Sequence, residues 1–324
     1  MWFLIGVIAV LGILVLIAIR RANFLGKTVS IYYDPAVKPK LDALYDQMLS
    51  KWPVPYETRY VVTKYGRVHV IICGREGAPP MLLMHAASVT SMSWIDNVAD
   101  WSDDFRIYAI DTIGEPGKSE LADVNAFPHS GRDLAELYTH ITRQLGVERA
   151  YVVGASYGGF IAANYALYAP ERVEKIALLG AMGVTPNTAW VAIKLTLFTF
   201  YPVEPFKRHL ASWSLGNDPS LDWCLKYFRL VLDGVQGRFF PPATFKKDEL
   251  ENLKIPVLVV LGRKDNLVGD PVKVREFARR IPDHRVEILD TAHLIGVEQP
   301  KRVNALVLEY FDSLNWHKLP WSGD

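Results

Sequence analysis

The 324-residue chain has few of the features that indicate disulfide, metal or nucleic-acid chemistry. It has only two cysteines, Cys73 and Cys224, which lie far apart and lack metal or redox spacing, so we expect two buried thiols. The eight histidines form no HExxH or comparable ligand pattern, and we therefore expect neither a metal nor another cofactor. With 36 basic and 35 acidic residues, the formal charge of +1 gives no reason to expect a nucleic-acid partner.

A long uncharged run lies at the amino terminus. Residues 2–19 (WFLIGVIAVLGILVLIAI) are nearly all large and apolar, and their number is the lower limit for crossing a bilayer core. Basic residues follow the run at Arg20 and Arg21, whereas a cleaved signal peptide begins with basic residues and ends in a small-residue cleavage site. The sequence therefore predicts an uncleaved single-pass membrane anchor, and the positive-inside rule then places Arg20, Arg21 and the rest of the chain on the cytoplasmic side.

A β-hairpin followed by a regular alternation of strands and helices predicts an α/β fold. The hairpin covers Glu57–Thr63 and Val68–Ile72. The later strands are Met81–Met84, Arg106–Ile110, Arg149–Val153, Val173–Leu179, Pro256–Leu261 and Arg285–Leu289. Helical patterns between and after them include Asp133–Leu145, Pro271–Ile281 and Pro300–Leu314. This order is typical of a mostly parallel, doubly wound sheet with helices on both faces.

The alternation is interrupted once, between Gly180 and Pro256, by a stretch too long for a loop. Its helix-like segments, and the apolar stretch Thr188–Val203, favour an inserted helical cap or lid. An amphipathic helix at Lys38–Lys51 precedes the sheet and could lie on a membrane or pack on the folded domain. The predicted parts are an anchor (1–20), a linker with the amphipathic helix (21–55), an α/β core (56–181 and 251–315) and the cap (182–250).

A glycine-flanked serine lies in the run Gly154-Ala155-Ser156-Tyr157-Gly158-Gly159, between a predicted strand and an Ala-rich helix predicted over Phe160–Ala169. A serine at such a junction sits on a sharp turn that exposes its hydroxyl at the carboxyl edge of the sheet. The glycines avoid collision with the neighbouring strand or helix. The pattern predicts Ser156 as a nucleophile, although a close-packed turn without chemistry would have the same composition.

A nucleophilic serine needs an imidazole to take its proton and a carboxylate to orient that imidazole. In a doubly wound sheet these groups come from loops at the carboxyl ends of different strands. Asp265 and His293 follow the last two predicted strands, and the order Ser156, Asp265, His293 is the one that goes with an α/β-hydrolase sheet. Asp290, which lies three residues before the histidine, remains open as the alternative acid.

The oxyanion of an acyl-transfer intermediate needs two backbone N–H donors. We expect one from Tyr157, the residue after the nucleophile, and the other from the loop after Met81–Met84. In that loop we favour Ala87, with Ala86 as the alternative. His85 could shape the loop or be a core histidine with its hydrogen bonds satisfied.

These motifs make the chain resemble the α/β-hydrolase superfamily, in particular its cap-bearing serine esterases and lipases. The resemblance covers about residues 56–314 and is carried by the Ser156 run, by Gly262-Arg263-Lys264-Asp265 and by Ala292-His293. The chain differs from the family in having His85-Ala86 where His-Gly is usual. Its loop from Asp111 to Ser119 has one residue more than the family pattern D-x-x-G-x-G-x-S, and we interpret this loop as structural or as pocket wall.

The resemblance implies a serine hydrolase that cleaves carboxylic esters through an acyl-enzyme. The apolar cap and the predicted anchor favour a small lipophilic ester as the substrate, for example a monoacylglycerol. Two other interpretations remain open. The same three residues could hydrolyse carbon–carbon or amide bonds or perform perhydrolysis, and the fold could instead serve a ligand-sensing receptor.

Overall fold

A nine-stranded sheet organises this computed structural model, which describes residues 30–184 and 204–311. The strands are β1 (Tyr56–Thr63), β2 (Gly66–Gly74), β3 (Pro80–Met84), β4 (Arg106–Ile110), β5 (Glu120–Leu121), β6 (Ala150–Ala155), β7 (Val173–Leu179), β8 (Val257–Gly262) and β9 (His284–Leu289). Their order is β1-β2-β4-β3-β6-β7-β8-β9, with β5 paired to β2. All neighbours from β4 to β9 in this order run parallel, and the β1–β2 and β2–β4 pairs are antiparallel. The predicted mostly parallel sheet is confirmed.

Helices cover both faces of the sheet. They are α1 (Val37–Leu49), α2 (Val98–Trp101), α3 (Gly131–Gln144), α4 (Tyr157–Tyr168), α5 (Glu204–Leu215), α6 (Asp222–Gly234), α7 (Lys247–Glu251), α8 (Pro271–Ala278), α9 (Ile295–Glu298) and α10 (Pro300–Phe311). Side chains of α3, α4 and α8 form one buried cluster with the sheet, and α10 contributes to a second cluster. The sheet is therefore doubly wound, as the alternation of elements predicted.

Alternate residues of the central strands belong to opposite faces. On β8, Val257 and Val259 join the cluster formed with α3, α4 and α8, whereas Leu258 and Val260 join the cluster formed with α10. A parallel strand that is covered on both faces is apolar at every position. This explains why the central strands could be recognised in the sequence as short, continuous apolar runs.

The helix after Ser156 begins earlier than the sequence indicated, because its glycines form the first turn. The predicted helix starts at Phe160, and α4 starts at Tyr157. A Cβ added to Gly158 would lie 2.0 Å from the carbonyl oxygen of Met84, and one added to Gly159 would lie 2.4 Å from Cβ of Ala181. The start of α4 therefore lies directly against the end of β3.

Three short elements were not predicted, namely β5, α2 and α9. They have two, four and four residues, which is too few for a hydrophobic period to appear. The two cysteines, by contrast, are free and buried as expected, Cys73 on β2 and Cys224 on α6.

The predicted amphipathic helix corresponds to α1, which packs on the protein. Its residues Val37 and Leu41 form a buried cluster with Tyr227 and Val231 of α6. Tyr45, one turn further along, joins the core cluster on the α10 face of the sheet. Of the two placements that the sequence left open for this helix, its buried stripe favours contact with the folded domain.

The anchor predicted over residues 1–20, and the apolar stretch Thr188–Val203, lie outside the described residues. Within residues 30–184 and 204–311, no helix combines the length and apolar character that a membrane crossing requires. On this finding the predicted single-pass membrane localisation is wrong. That prediction depended on the length and hydropathy of residues 2–19 and on the basic residues Arg20 and Arg21 after them.

We expect Gly158→Ala to lower the free energy of unfolding by about 3 kcal/mol, because the added methyl group collides with main-chain atoms of β3. Gly296→Ala on α9 is the matched control, since its nearest contact would be an ordinary 3.6 Å and its effect should stay within about 0.5 kcal/mol. Urea unfolding of both variants measures the difference. Equal midpoints would contradict the close approach of α4 to β3.

Candidate active site

Ser156 occupies a backbone conformation that residues with a side chain rarely adopt. Its φ is 50° and its ψ is −113°, and its N–H donates to the carbonyl of Leu179 at 2.9 Å. Its own carbonyl accepts from the N–H of Met182 at 3.1 Å. These bonds to β7 and to the loop after it hold the strained turn between β6 and α4. The turn directs the hydroxyl beyond the carboxyl ends of the strands.

The structure brings Ser156, Asp265 and His293 together. Nε2 of His293 lies 2.7 Å from Oγ of Ser156, and Nδ1 of the same ring lies 2.7 Å from Oδ2 of Asp265. All three residues are buried. Since the carboxylate can only accept, Nδ1 donates to it, and Nε2 is left to accept from the serine hydroxyl. The arrangement therefore has the tautomer that a general base requires.

The carboxylate of Asp265 is fixed from its other side. Its Oδ1 accepts from the backbone N–H groups of Leu267 at 2.8 Å and of Val268 at 3.0 Å. The alternative acid, Asp290, has an exposed side chain and instead pairs with Lys264 at 3.0 Å. The geometry thus favours Asp265 as the partner of the imidazole.

The loop of His293 is held by a glutamate that the sequence analysis did not select. Oε2 of Glu298 accepts from the N–H of Ala292 at 3.0 Å. Glu298 lies on α9, which follows the histidine directly. Burial raises the pKa of this carboxyl. The contact restrains the backbone on the amino side of the imidazole.

The loop after β3 lies beside the start of α4, where an oxyanion could be bound. Among the described residues, the backbone N–H groups of Ala87 and Tyr157 have no hydrogen-bond acceptor. Ala87 is half-buried, whereas Ala86 is 3% exposed, which favours Ala87 as the donor. The assignment of Ala87 and Tyr157 to an oxyanion hole stays a prediction.

His85 fixes the direction of the Ala87 N–H group. Its Nδ1 donates to the carbonyl oxygen of Ala86 at 2.8 Å, and its Nε2 accepts from the N–H of Thr112 at 2.9 Å. The Ala86 carbonyl and the Ala87 N–H belong to one planar trans peptide and point in opposite directions. Holding the carbonyl therefore directs the N–H away from the imidazole. Burial lowers the pKa of His85, so the ring is neutral and its hydrogen bonds are satisfied.

Besides Glu298, the sequence analysis missed Glu115, which contacts the loop after β3. It is 1% exposed, and its Oε2 accepts from the N–H of Ser88 at 2.6 Å. Its Oε1 has no hydrogen-bond partner among the described residues. Burial raises the pKa of Glu115 from 4.5 to about 7. An acidic residue between Gly114 and Pro116 is typical of an exposed turn, so no sequence signal identifies it.

An aromatic cluster lies beside Ser156. The rings of Tyr157 and Phe160 on α4 contact three phenylalanines of the segment after α6. The ring centroids lie 4.8 Å apart for Tyr157 and Phe239, 5.8 Å for Phe160 and Phe240, and 5.3 Å for Phe160 and Phe245. The hydroxyl of Tyr157 donates to the carbonyl of Phe240 at 3.1 Å. Tyr157, Phe160 and Phe245 are buried in the core, and Phe239 and Phe240 are half-buried.

Across residues 30–184 and 204–311, no group of three His, Cys, Asp or Glu side chains could hold a metal ion. The chemistry of the site is that of a hydroxyl, an imidazole, a carboxylate and backbone N–H groups.

This chain is similar to known proteins in both sequence and fold. The model of a family described as alpha/beta hydrolase fold matches residues 79–211. The "Uncharacterized carboxylesterase nap" of Bacillus subtilis (strain 168) is 31% identical over 280 residues, which cover 83% of this chain and 91% of the relative. "Carboxylesterase YbfK" of the same organism is 32% identical over 280 residues, covering 82% and 91%. The crystal structure of naproxen esterase (carboxylesterase NP) from Bacillus subtilis has a TM-score of 0.75 at 29% identity, covering 84% of this chain and 96% of that one.

The raised pKa of Glu115 predicts a pH-dependent stability difference. The pKa of Glu115 is about 7 in the folded protein and 4.5 ordinarily, so its carboxyl ionises in the unfolded chain at a lower pH than in the folded protein. The wild type therefore loses stability as the pH rises from about 4.5 to about 7. Glu115→Gln cannot ionise. We expect the stability of the variant relative to wild type to rise by roughly 2–3 kcal/mol between pH 5 and pH 8.

Urea unfolding of both proteins at each pH measures this difference, and all other titrating groups cancel in it. A difference that stays constant across the range would mean that Glu115 is not buried as described.

Proposed function

The chain belongs to the α/β-hydrolase superfamily, and we propose that it is a serine hydrolase that cleaves carboxylic esters of small lipophilic substrates. The observation that carries the proposal is the chain of two 2.7 Å hydrogen bonds that joins Ser156, His293 and Asp265 at the carboxyl end of the sheet. The choice of an ester bond is supported by the two Bacillus subtilis carboxylesterases, which are 31% and 32% identical to this chain.

In the proposed mechanism Oγ of Ser156 attacks the acyl carbon of the ester. Nε2 of His293, 2.7 Å from that oxygen, takes the hydroxyl proton as the new C–O bond forms. Asp265 keeps the ring in the correct tautomer and stabilises the imidazolium. The negative charge that develops on the carbonyl oxygen is bound by the N–H groups of Ala87 and Tyr157.

The tetrahedral intermediate then collapses to an acyl-enzyme. His293 returns its proton to the leaving alkoxide, so the alcohol departs neutral and the acyl group stays on Ser156. Water attacks the acyl carbon with His293 again as the base, and the carboxylic acid is released. The free serine is restored with no net change in the enzyme.

The lipophilic substrate class is supported by the aromatic cluster beside the nucleophile. Phe239 and Phe240 are half-buried and pack on the buried rings of Tyr157 and Phe160, and in the proposal their remaining apolar area forms a wall for the substrate. Contact with such a wall releases water from an acyl or alkyl chain and stabilises the complex by about 25 cal/mol per Å² of buried apolar surface. A short, polar ester would gain little from it.

Ser156→Ala tests the nucleophile. With p-nitrophenyl butyrate as substrate we expect kcat to fall by at least about 1,000-fold, because the remaining groups cannot form an acyl-enzyme. Ser50→Ala, which removes an exposed hydroxyl at the end of α1, is the matched control and should keep the wild-type rate. Wild-type turnover by Ser156→Ala would rule out the proposed function.

The acyl-chain preference tests the substrate class separately. A series of p-nitrophenyl esters from acetate to decanoate should show kcat/KM rising with chain length, and a short monoacylglycerol should compete with them. If kcat/KM does not change with chain length, or is highest for the acetate, the proposed lipophilic substrate class is wrong, whereas the proposed esterase activity is unaffected.

Asp265→Asn tests the role of the carboxylate. The amide oxygen can keep the two backbone N–H bonds of Leu267 and Val268, which turns the amide nitrogen towards His293 and forces the proton onto Nε2. With a proton on Nε2, the His293 ring cannot take the hydroxyl proton of Ser156. We therefore expect kcat to fall roughly 10³- to 10⁴-fold with KM little changed. Asp290→Asn is the matched control. A larger loss in Asp290→Asn than in Asp265→Asn would reverse the assignment.

A further inference from the structure

The loop that carries Ala87 contains a second strained residue. Ser88 has a φ of 61°, and it and Ser156 are the two non-glycine residues with positive φ in the described part of the chain. Serine has no intrinsic preference for this left-handed region, so surrounding contacts must hold it there. A loop held in this way can keep its N–H groups in a fixed direction.

The contact that holds Ser88 is made by Glu115. The Ser88 N–H donates to Oε2 of Glu115 at 2.6 Å, and this N–H belongs to the peptide that joins Ala87 to Ser88. Fixing that peptide plane restrains ψ of Ala87 and φ of Ser88 together. On the other side of Ala87, His85 holds the Ala86 carbonyl at 2.8 Å. The two peptides that flank the Ala87 Cα are thus each held by one buried side chain.

We propose that Glu115 is a positioning residue, whose buried carboxyl holds the Ala87–Ser88 peptide and so keeps the Ala87 N–H directed at the oxyanion. This inference rests on the proposed esterase function, because it assigns a further residue to the same reaction. Glu115 acts through the loop backbone and does not touch the substrate.

The buried carboxyl of Glu115 has a hydrogen-bond partner for only one of its two oxygens among the described residues. Its Oε1 lacks a partner among the described residues and would lie 2.7 Å from a Cβ added to Gly237, so the group is enclosed and only half satisfied. A buried polar group in this state lowers stability. Proteins keep such a destabilising buried group mainly where it holds a functional part of the chain in place.

The loop that contains Glu115 is hydrogen-bonded to the segment after α6. The N–H of Arg238 donates to the carbonyl of Gly114 at 2.7 Å, one residue before Glu115. Phe239 and Phe240, the next two residues of that segment, contact the aromatic cluster on α4. Gly114 and Glu115, which are neighbours in the chain, therefore contact the segment of Phe239 and Phe240 and the loop of Ala87, respectively.

Glu115→Met and Glu115→Gln form a matched pair for the test. The two side chains are similar in size and neutral, but only glutamine offers an oxygen to the Ser88 N–H. A misdirected oxyanion donor loses transition-state stabilisation and leaves ground-state binding intact. With p-nitrophenyl butyrate we expect kcat of Glu115→Met to fall roughly 30- to 100-fold with KM within about threefold. Glu115→Gln should stay within about threefold of the wild-type kcat.

Two further measurements separate positioning from general damage. The affinity of an alkyl boronic acid, which forms a tetrahedral adduct on an active serine, should fall in Glu115→Met by the same factor as kcat. Glu174→Ala removes another buried carboxyl, near the amino end of β7, and should leave kcat within about twofold. Thermal unfolding establishes that each variant is folded, and Glu115→Ala repeats the test with a smaller side chain if methionine is not accommodated.

The outcomes distinguish this inference from the proposed function. Wild-type kcat in Glu115→Met or Glu115→Ala, beside an inactive Ser156→Ala, overturns the inference alone. Equal losses in Glu115→Met and Glu115→Gln also overturn it, since the hydrogen-bond acceptor would then not be what matters. Full activity in Ser156→Ala overturns the proposed function and this inference with it.

Discussion

The strained turn at Ser156 is the constraint on which the rest of the site depends. It exists because the serine backbone is bonded to Leu179 and Met182 while α4 begins at once and lies against β3. The same approach puts the first N–H of α4 beside the loop after β3. The turn therefore fixes the proposed nucleophile and one proposed oxyanion donor together, and the parallel neighbours β7, β8 and β9 bring Asp265 and His293 to the same edge.

Much of this arrangement could be predicted from the sequence, for a physical reason. Ser156 and Asp265 follow the buried strands β6 and β8, which appear in the sequence as short apolar runs, and His293 follows the half-buried edge strand β9. The carboxyl ends of these parallel strands meet at one edge. Glu115 and Glu298 could not be found in this way, because their burial and their bonds to the backbone of other loops are set by tertiary packing. The predicted membrane localisation is wrong on the finding that no helix within residues 30–184 and 204–311 has the length and apolar character to cross a membrane.

The cap region and the helix before the sheet behave as parts of one unit with the core. Val37 and Leu41 of α1 pack on α6, and the segment after α6 reaches Gly114 through the Arg238 N–H and Tyr157 through Phe239. A shift of α6 would therefore be transmitted to both the apolar wall and the loop beside Ala87. The segment after α6 is thus joined to α1 through α6 and to the start of α4 through its aromatic rings.

The burial of the two cysteines has a practical consequence. Cys73 and Cys224 are the chain's only thiols, and burial raises the pKa of both, so both stay protonated and out of reach of alkylating reagents at neutral pH. A cysteine introduced on an exposed position of α6 would therefore be the single reactive thiol of the molecule. A fluorophore attached there would report, in the otherwise native protein, how far the cap moves while an ester enters and its products leave.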